Sequence, residues 1–194
     1  MITPELILAS SSPYRKELLE RLKIPFRCIS PDVDEDQFQQ RISDPLELAK
    51  VLATEKARVI GEQFPDAVVI GSDQLISFAG KILGKPYTEE KAIKQLQELS
   101  GKQHLLITAC HVYAKSCSYL FVEPTELEMR NLSHEEIQAY VRQDQALNCA
   151  GSYKIESLGI SLFSRIQTAD FTAITGLPLI QLSETLRKMG YSIP

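Results

Sequence analysis

The sequence lacks the features that would send a protein into a membrane or out of the cell. No stretch approaches the ~18 consecutive apolar residues that a membrane-spanning helix needs. Residues 1–8 carry no basic segment, and their apolar run is too short for a signal peptide. We therefore expect a cytoplasmic protein that does not contact a membrane.

Cysteine and histidine patterns that indicate disulfides, zinc sites or nucleophilic triads are also missing. No C-x-x-C pair occurs, and no histidine lies at zinc-finger spacing. We expect four reduced and mostly buried thiols, and three structural histidines. These residues are Cys28, Cys110, Cys117 and Cys149, and His104, His111 and His134.

A broad basic surface is not expected either. The chain has 25 acidic and 21 basic residues and a formal net charge of -4. Because non-specific binding to nucleic acid depends on many basic side chains, we expect no nucleic-acid polymer as partner. A small, locally basic pocket for an anionic ligand remains compatible with this charge.

The composition fits one globular domain spanning residues 1–194. Its 44% hydrophobic content provides a core of ordinary size. We find no internal repeat, low-complexity tract or long linker. Apolar runs alternate with helical patterns, which predicts an α/β protein with a mixed central sheet and helices on its faces.

The local signals predict individual elements. Strands are expected at 6–9, 26–29, 67–71, 105–114, 119–129 and 160–166. Helices are expected to begin after the capping residues Ser12, Asp44 and Ser133, and also at about 88 and 178. An acidic loop is expected at 32–36, and Ala79-Gly80 is expected to turn a hairpin.

Residues 10–16 join the first predicted strand to a helix N-terminus. Unpaired N–H groups and the helix dipole favour a phosphate at such a position. Arg15 and Lys16 add full positive charges there. The alternative is an ordinary capped helix with solvated basic residues.

Two acidic segments are candidates for metal or water chemistry. Asp34 and Glu35 lie in the acidic loop, and clustered carboxylates can share Mg²⁺ with triphosphate oxygens. Asp73 follows the predicted central strand, where a carboxylate can act on water or on a metal. The alternatives are a solvated acidic turn and an Asx-turn.

Two lysines complete the candidate set. Lys56 lies in the long predicted helix, and Lys85 lies in Gly84-Lys85-Pro86, which resembles a phosphate-gripping loop without Walker spacing. A surface lysine and a plain turn are the alternatives. Phosphoryl chemistry needs cations to offset oxygen charge, acids to hold a metal and one acid to orient water.

These segments, in this order, resemble the Maf family, and the resemblance covers nearly the whole chain. The matching motifs are Leu8-Ala9-Ser10-Ser11-Ser12-Pro13, Val33-Asp34-Glu35, Glu55-Lys56-Ala57, Gly71-Ser72-Asp73, Gly84-Lys85-Pro86, Leu99-Ser100-Gly101, Ala150-Gly151-Ser152-Tyr153 and Gly176-Leu177-Pro178-Leu179.

The resemblance implies a nucleoside triphosphate pyrophosphatase with two lobes around a deep cleft, acting as a homodimer with a divalent cation, Mg²⁺ or Mn²⁺. It implies that Asp73 accepts the proton of the water that attacks the α-phosphorus. Glu35 and Asp73 would hold the metal. Phosphates would be bound by Ser10, Arg15, Lys56 and Lys85, and we add Lys16 from its charge.

Three residues depart from the commonest Maf pattern: Tyr14, Gln74 and Glu156. This trio resembles the branch of the family that acts on 7-methyl-GTP. The methylated guanine is cationic, and an aromatic face such as that of Tyr14 attracts a cation by roughly 0.5–2 kcal/mol. Sequence drift without a change of specificity is the alternative.

Glu156 suits a methylated guanine for a second reason. Its carboxylate can accept from N1–H and the 2-amino group together, while its charge offsets that of the base. A pyrimidine such as dTTP offers no matching pair of donors. A further departure, Ala173-Ile174-Thr175 where many relatives have Asn-Val-Val, is expected to affect loop packing only slightly.

Two rival functions stay open at this point. One is a pyrophosphatase for dTTP, UTP or another modified nucleotide. The other is a nucleotide-binding regulator, for instance of cell division, without important catalysis. A complete set of acidic and basic residues argues against the regulator.

Overall fold

The computed structural model describes residues 3–194; Met1 and Ile2, which belong to the segment interpreted as lacking a signal peptide, lie outside them. The chain divides into two compact units. The first comprises the described residues up to Gln74 together with Thr108–Glu123 and Asp170–Pro194. The second comprises Leu75–Ile107 and Pro124–Ala169. The single domain and the cleft stay predictions.

The described residues form seven strands and six α-helices. The strands are β1 (Leu6–Ala9), β2 (Arg27–Cys28), β3 (Val68–Phe78), β4 (Lys81–Leu83), β5 (Gln103–Ala114), β6 (Cys117–Met129) and β7 (Phe163–Gln167). The helices are α1 (Pro13–Glu20), α2 (Glu35–Gln39), α3 (Pro45–Gln63), α4 (Glu89–Leu99), α5 (His134–Asp144) and α6 (Leu179–Lys188).

The seven strands form one mixed sheet, as predicted. Their order is β2-β1-β3-β5-β6-β7, with β4 beside β3. β1 runs parallel to both β2 and β3, whereas β4 and β7 pair antiparallel with β3 and β6. The predicted α/β class with a mixed central sheet is therefore confirmed.

Helices cover both faces of the parallel part of the sheet in the first unit. Leu6 and Leu8 of β1 pack with residues of α1 and α6, such as Leu18 and Leu182. Ile7 lies on the other face, where its buried cluster includes Ala57 and Ile60 of α3. The near-continuous apolar sequence of β1 follows from this, because a strand buried on both faces shows no polar alternation.

The second unit is built around α4 and α5, which pack against each other. Thr88 caps α4, and Ser133 caps α5 through a full capping box with Glu136. The capping box predicted at Ser133 and the helix start predicted at about 88 are therefore both confirmed.

Besides the central strand, three predicted elements are wrong in extent or type. The strand expected at 26–29 has only two residues, and the first part of the strand expected at 160–166 is a 3₁₀ helix, Leu158–Leu162. Residues 35–39 form α2 rather than a loop, because the Asp34 side chain caps this helix by accepting from Gln37 N at 3.3 Å.

The central strand is longer than predicted, so Asp73 lies inside β3 and not beyond its end. β1 pairs with β3 only as far as Gly71, and β4 pairs with it from Ile76 onward. Antiparallel pairing therefore continues the strand past its polar residues. The expected turn at Ala79-Gly80 is confirmed, with φ of 49° and 75°.

All four cysteines are free thiols, as expected, but the expectation that most are buried is wrong. Cys110 is buried and Cys149 half-buried, whereas Cys28 and Cys117 are exposed. Within residues 3–194, no helix has both the length and the apolar character that crossing a membrane requires.

Candidate active site

Asp73 is the centre of a buried charged group in the first unit. Its residue is 5% exposed, and its Oδ1 accepts a hydrogen bond from Lys56 Nζ at 2.6 Å. Among the residues described, its buried Oδ2 atom has no hydrogen-bond partner. One oxygen is thus anchored, and the other is a buried acceptor whose hydrogen-bonding capacity is unused, which is uncommon for a buried polar atom and marks a functional site.

Gly71 explains why Lys56 reaches Asp73. A Cβ atom at Gly71 would lie 2.2 Å from the carbonyl oxygen of Ala53 and 2.6 Å from the amide nitrogen of Ala57. The backbone of α3 therefore rests directly on the backbone of β3. This close approach brings the Lys56 side chain within hydrogen-bond distance of the strand.

Lys56 lies between two carboxylates. Its Nζ atom is 2.6 Å from Asp73 Oδ1 and 2.6 Å from Glu35 Oε1. The Lys56 side chain is 9% exposed, whereas that of Glu35 is 45% exposed. A buried ammonium needs such partners, since an unpaired charge in the interior is costly. Two carboxylates and one ammonium leave an excess of negative charge, which suits a cation.

Burial raises the pKa of Asp73, and the charges of Lys56 and Arg15 oppose this shift. A carboxylate with a raised pKa is a better proton acceptor near neutral pH than an ordinary aspartate. Desolvation lowers the pKa of Arg15, while the charge of Asp73 raises it. Arginine stays protonated in proteins, so Arg15 is a cation in electrostatic contact with this group.

The side chain of Arg15 lies against the backbone of Gly176, where φ is 113°. A Cβ atom at this glycine would be 2.9 Å from Arg15 Nε. Ser72 holds the glycine in place, because its hydroxyl donates to the carbonyl of Gly176 at 2.7 Å. The Gly176-Leu177-Pro178-Leu179 motif thus supplies part of the surface that the Arg15 side chain contacts.

Gln74 uses its amide nitrogen to hold the segment before that glycine. The nitrogen donates to the carbonyls of Ala173 at 2.8 Å and Ile174 at 3.0 Å, and to Thr108 Oγ1 at 3.0 Å. These contacts reach backbone atoms of 173 and 174, so side-chain identity there matters little to them. A specificity role for Gln74 stays a prediction, with its Oε1 atom as the group left to contact a base.

The other predicted residues of this unit lie on or before α1. Ser10 is buried, and its hydroxyl accepts from Ser12 N at 3.1 Å, which shapes the turn into α1. Tyr14 is 43% exposed. Lys16 pairs with Glu20 at 3.8 Å, and its side chain is 58% exposed. The structure therefore groups Asp73, Lys56, Glu35 and Arg15, and Lys16 does not join them.

Lys85 and Glu156 belong to the second unit, and both are exposed. Lys85 lies in a loop between β4 and α4, and Glu156 lies in a turn at 155–157. Burial raises the pKa of the Cys149 thiol; Lys154 and Lys85 oppose this shift and Glu156 adds to it. The charges of Lys85 and Glu156 therefore act on the pKa of the same thiol, in opposite directions.

Comparison with known proteins identifies the family. Residues 5–189 match the family model described as Maf-like protein. This chain belongs to the Maf-like protein family. The matched range contains all of the motifs quoted from the sequence.

Relatives of this Maf-like protein carry a more specific name. A protein of Bdellovibrio bacteriovorus named 7-methyl-GTP pyrophosphatase is 46% identical over 182 residues, which cover 94% of this chain and 95% of that one. A protein of the same name in Pseudomonas syringae pv. tomato is 44% identical over 193 residues, covering 98% and 100% of the two chains.

A solved structure of a HAM1 protein from Coxiella burnetii is also similar, with a TM-score of 0.49 and 17% identity over 95% of this chain and 99% of that one. A likeness at this level carries no argument about function.

The predicted divalent cation needs carboxylate ligands in this Maf-like protein. No cluster of three or more His, Cys, Asp or Glu side chains suited to a metal occurs in residues 3–194. Mg²⁺, however, is commonly held by one or two carboxylates, with water and substrate phosphates as further ligands. Glu35 and Asp73, with its unpartnered Oδ2, fit this kind of site.

Ser72 and Thr108 also hold the segment before Leu177, and the sequence did not predict this role for either residue. Thr108 Oγ1 donates to the carbonyl of Ala173 at 2.9 Å, beside the contacts of Ser72 and Gln74. A signal did exist, because side chains alternate between the two faces of a strand. Ser72 and Gln74 share a face of β3, and that face is opposite to the one of Asp73.

A cavity of about 540 Å³ lies elsewhere in the first unit. It is lined by residues such as Lys23, Phe26 and Arg27, and by none of the predicted site residues. Arg27 already pairs with Glu5 at 2.7 Å and lies 4.7 Å from the ring centre of Phe64. The cavity is therefore separate from the group around Asp73.

Proposed function

We propose that this Maf-like protein is a hydrolase acting on acid anhydrides, a pyrophosphatase that converts 7-methyl-GTP and water to 7-methyl-GMP and pyrophosphate. The names of relatives at 46% and 44% identity support the activity and the substrate. The residues Tyr14, Gln74 and Glu156, which resemble those of the branch acting on 7-methyl-GTP, agree with this substrate.

The observation that carries the proposal is the state of the Asp73 carboxyl group. Lys56 anchors Oδ1, and the buried Oδ2 has no hydrogen-bond partner within the described part of the chain. Oδ2 accepts the proton of a water whose oxygen forms a bond to the α-phosphorus. The bond from that phosphorus to the oxygen bridging to the β-phosphate breaks, and pyrophosphate leaves.

The remaining residues offset charge on the triphosphate. Ser10, Arg15, Lys56 and Lys85 bind phosphate oxygens in this proposal. The charge of Lys56 also lowers the pKa of Asp73 against the effect of burial, and Ser10 shapes the turn at the N-terminus of α1. Glu35 and Asp73 would hold Mg²⁺ or Mn²⁺, which neutralises phosphate oxygens when bound. Lys16 retains a predicted phosphate role in spite of its pairing with Glu20.

Base recognition depends on exposed groups. The ring of Tyr14 presents a face to the cationic methylated base. The carboxylate of Glu156 accepts from the two donors on the guanine edge. An uncharged pyrimidine loses both contacts, so the proposal includes a preference over dTTP and UTP.

A homodimer is part of the proposal and rests on the family resemblance alone. Light scattering on the purified protein at several concentrations would measure its mass. A cytoplasmic location stays a prediction from the sequence.

The direct test is pyrophosphate release from a panel of 7-methyl-GTP, GTP, dTTP and UTP, each with Mg²⁺ and with Mn²⁺. We expect the highest kcat/KM for 7-methyl-GTP, and release slowed by about 10²–10⁴-fold in the Asp73→Asn variant. A preference for dTTP or UTP would favour the rival pyrophosphatase. Tight binding of a nucleotide with no turnover of any would favour the regulator.

A further inference from the structure

The turn that carries Glu156 is held by the C-terminal end of α5. Asp144, the last residue of that helix, accepts from Ser157 Oγ at 2.5 Å through its Oδ1 atom. The backbone carbonyl of Asp144 accepts from Lys154 Nζ at 3.0 Å. Asp144 therefore contacts residues on both sides of Glu156.

Tyr140 adds a third connection one helical turn earlier. Its hydroxyl donates to Asp144 Oδ2 at 2.7 Å and accepts from the amide nitrogen of Lys154 at 3.1 Å. The Tyr140 side chain is buried, so this hydroxyl has little freedom. Both carboxylate oxygens of Asp144 are thereby committed to the turn, one directly and one through Tyr140.

Gly159 closes the turn tightly. A Cβ atom there would lie 2.3 Å from the carbonyl oxygen of Lys154, so the chain returns almost to its starting point. Glu156 lies at the exposed tip of this closed turn. Its position is thus set by its neighbours rather than by contacts of its own.

The segment after α5 also fixes the loop of Lys85. The carbonyl of Leu147 accepts from the amide nitrogen of Tyr87 at 2.9 Å, two residues beyond the lysine. Gln145 has a φ of 47° and donates to Glu89 at 3.2 Å, at the start of α4. Residues 144–147 therefore support both the turn of Glu156 and the loop of Lys85.

We infer that Asp144 is a positioning residue for Glu156, and that it thereby sets the preference of the protein for a methylated guanine over a pyrimidine. This inference rests on the proposed function, because it needs Glu156 to contact the base. Asp144 acts on the base through Glu156 in this inference, because its carboxylate oxygens are bonded to Ser157 and Tyr140.

The test compares Asp144→Ala, Ser157→Ala and Glu156→Gln. For each, kcat/KM is measured for 7-methyl-GTP and for UTP, and the readout is the ratio between the two. We expect Asp144→Ala and Ser157→Ala to lower this ratio by about tenfold, the size of a lost specificity contact, and Asp144→Asn to restore part of it. Gln143→Ala, an exposed neighbour on α5, is the matched control and should keep the wild-type ratio.

A double-mutant comparison separates positioning from a merely structural role. If Asp144 acts through Glu156, then Asp144→Ala adds no further loss of the ratio in a Glu156→Gln protein. An additive loss would overturn the inference, as would a wild-type ratio in both Asp144→Ala and Ser157→Ala. An unchanged ratio in Glu156→Gln would overturn it as well.

A binding measurement distinguishes failure of this inference from failure of the proposed function. Dissociation constants of the two nucleotides are measured with the same variants placed in an Asp73→Asn protein, which should bind nucleotide while turning it over about 10²–10⁴-fold more slowly. Suppose that the wild type releases no pyrophosphate, but that Asp144→Ala still lowers the affinity for 7-methyl-GTP relative to that for UTP. Then only the catalytic proposal fails. If neither Asp144→Ala nor Glu156→Gln changes the relative affinity for the two nucleotides, Asp144 has no positioning role.

Discussion

The two units use charged residues in opposite ways. In the first unit, Asp73 and Lys56 are buried within regular secondary structure and are paired directly with each other. In the second, Glu156 and Lys85 are exposed on a turn and a loop, and hydrogen bonds of neighbouring residues fix the backbone around them. Residues that transfer protons benefit from desolvation, whereas residues that select a ligand must be reachable.

This difference also changes how mutations should act. A charge pair in the interior is attracted strongly because little water screens it, and losing one partner leaves the other uncompensated. An exposed charge is screened, so removing it alters recognition more than stability. Four substitutions test this contrast, beginning with the one of largest expected effect.

Asp73→Asn should lower turnover by about 10²–10⁴-fold, the usual contribution of a general base, and leave nucleotide binding largely intact. The amide retains an oxygen that can accept from Lys56, so the protein should still fold. Pyrophosphate release and calorimetric binding give the two numbers. Asp66→Asn, in the exposed turn before β3, is the control; full activity in Asp73→Asn would dismiss Asp73 as the base.

Lys56→Met should destabilise the protein by about 3–5 kcal/mol, because it leaves the buried Asp73 carboxylate without its partner. It also removes a charge that lowers the pKa of Asp73, so the acidic limb of any residual pH–rate profile should move to higher pH. Denaturant unfolding and pH–rate profiles measure the two effects.

Lys50→Met on the same helix is the control for Lys56→Met. Lys50 pairs with Glu47 at 2.7 Å, but its side chain is far more exposed, so only a small change in stability is expected. Equal losses in the two variants would contradict the contrast between buried and exposed pairs.

Glu156→Gln should lower the preference for 7-methyl-GTP over UTP by about tenfold, with little change in thermal stability, because a charge-assisted contact is replaced by a neutral one. Competition assays with both nucleotides in one reaction measure the preference. Glu98→Gln, exposed on α4, should leave it unchanged. A large drop in Tm instead would mean that Glu156 is a structural residue.

Lys16→Met should change KM by about twofold or less, because its ammonium is exposed and already shares an ion pair. Arg15→Met, one residue earlier, should raise KM more, since Arg15 lies in electrostatic contact with Asp73. Equal effects on KM would mean that Lys16 contributes to phosphate binding as much as Arg15 does.

The sequence predicts best those features that local signals determine. The caps at Ser12, Asp44 and Ser133 sit where the sequence placed them, because each uses a side chain within three residues of its partner. The same reasoning would have found α2, since Asp34 and Gln37 have the spacing of a cap. The pairing of Lys16 with Glu20 has the ordinary i,i+4 spacing as well.

Features that depend on packing were not predictable in this way. β3 continues through Ser72-Asp73-Gln74 because neighbouring strands supply its hydrogen bonds, although its polar residues end the apolar pattern. The contact of Lys56 with Glu35 and Asp73 joins residues far apart in sequence. The roles proposed for Tyr14 and Glu156 came from the family resemblance, since neither position is distinguished by spacing.

Gly71 has a consequence for how the acidity of the site is set. Since α3 rests on the strand where this glycine has no side chain, the gap between lysine and aspartate is fixed by backbone contact. A single added methyl group would work as a spacer, weakening the ammonium's hold on the carboxylate without altering any ionisable residue. The strength of the proton acceptor is thus governed by how closely a helix can lie on a strand.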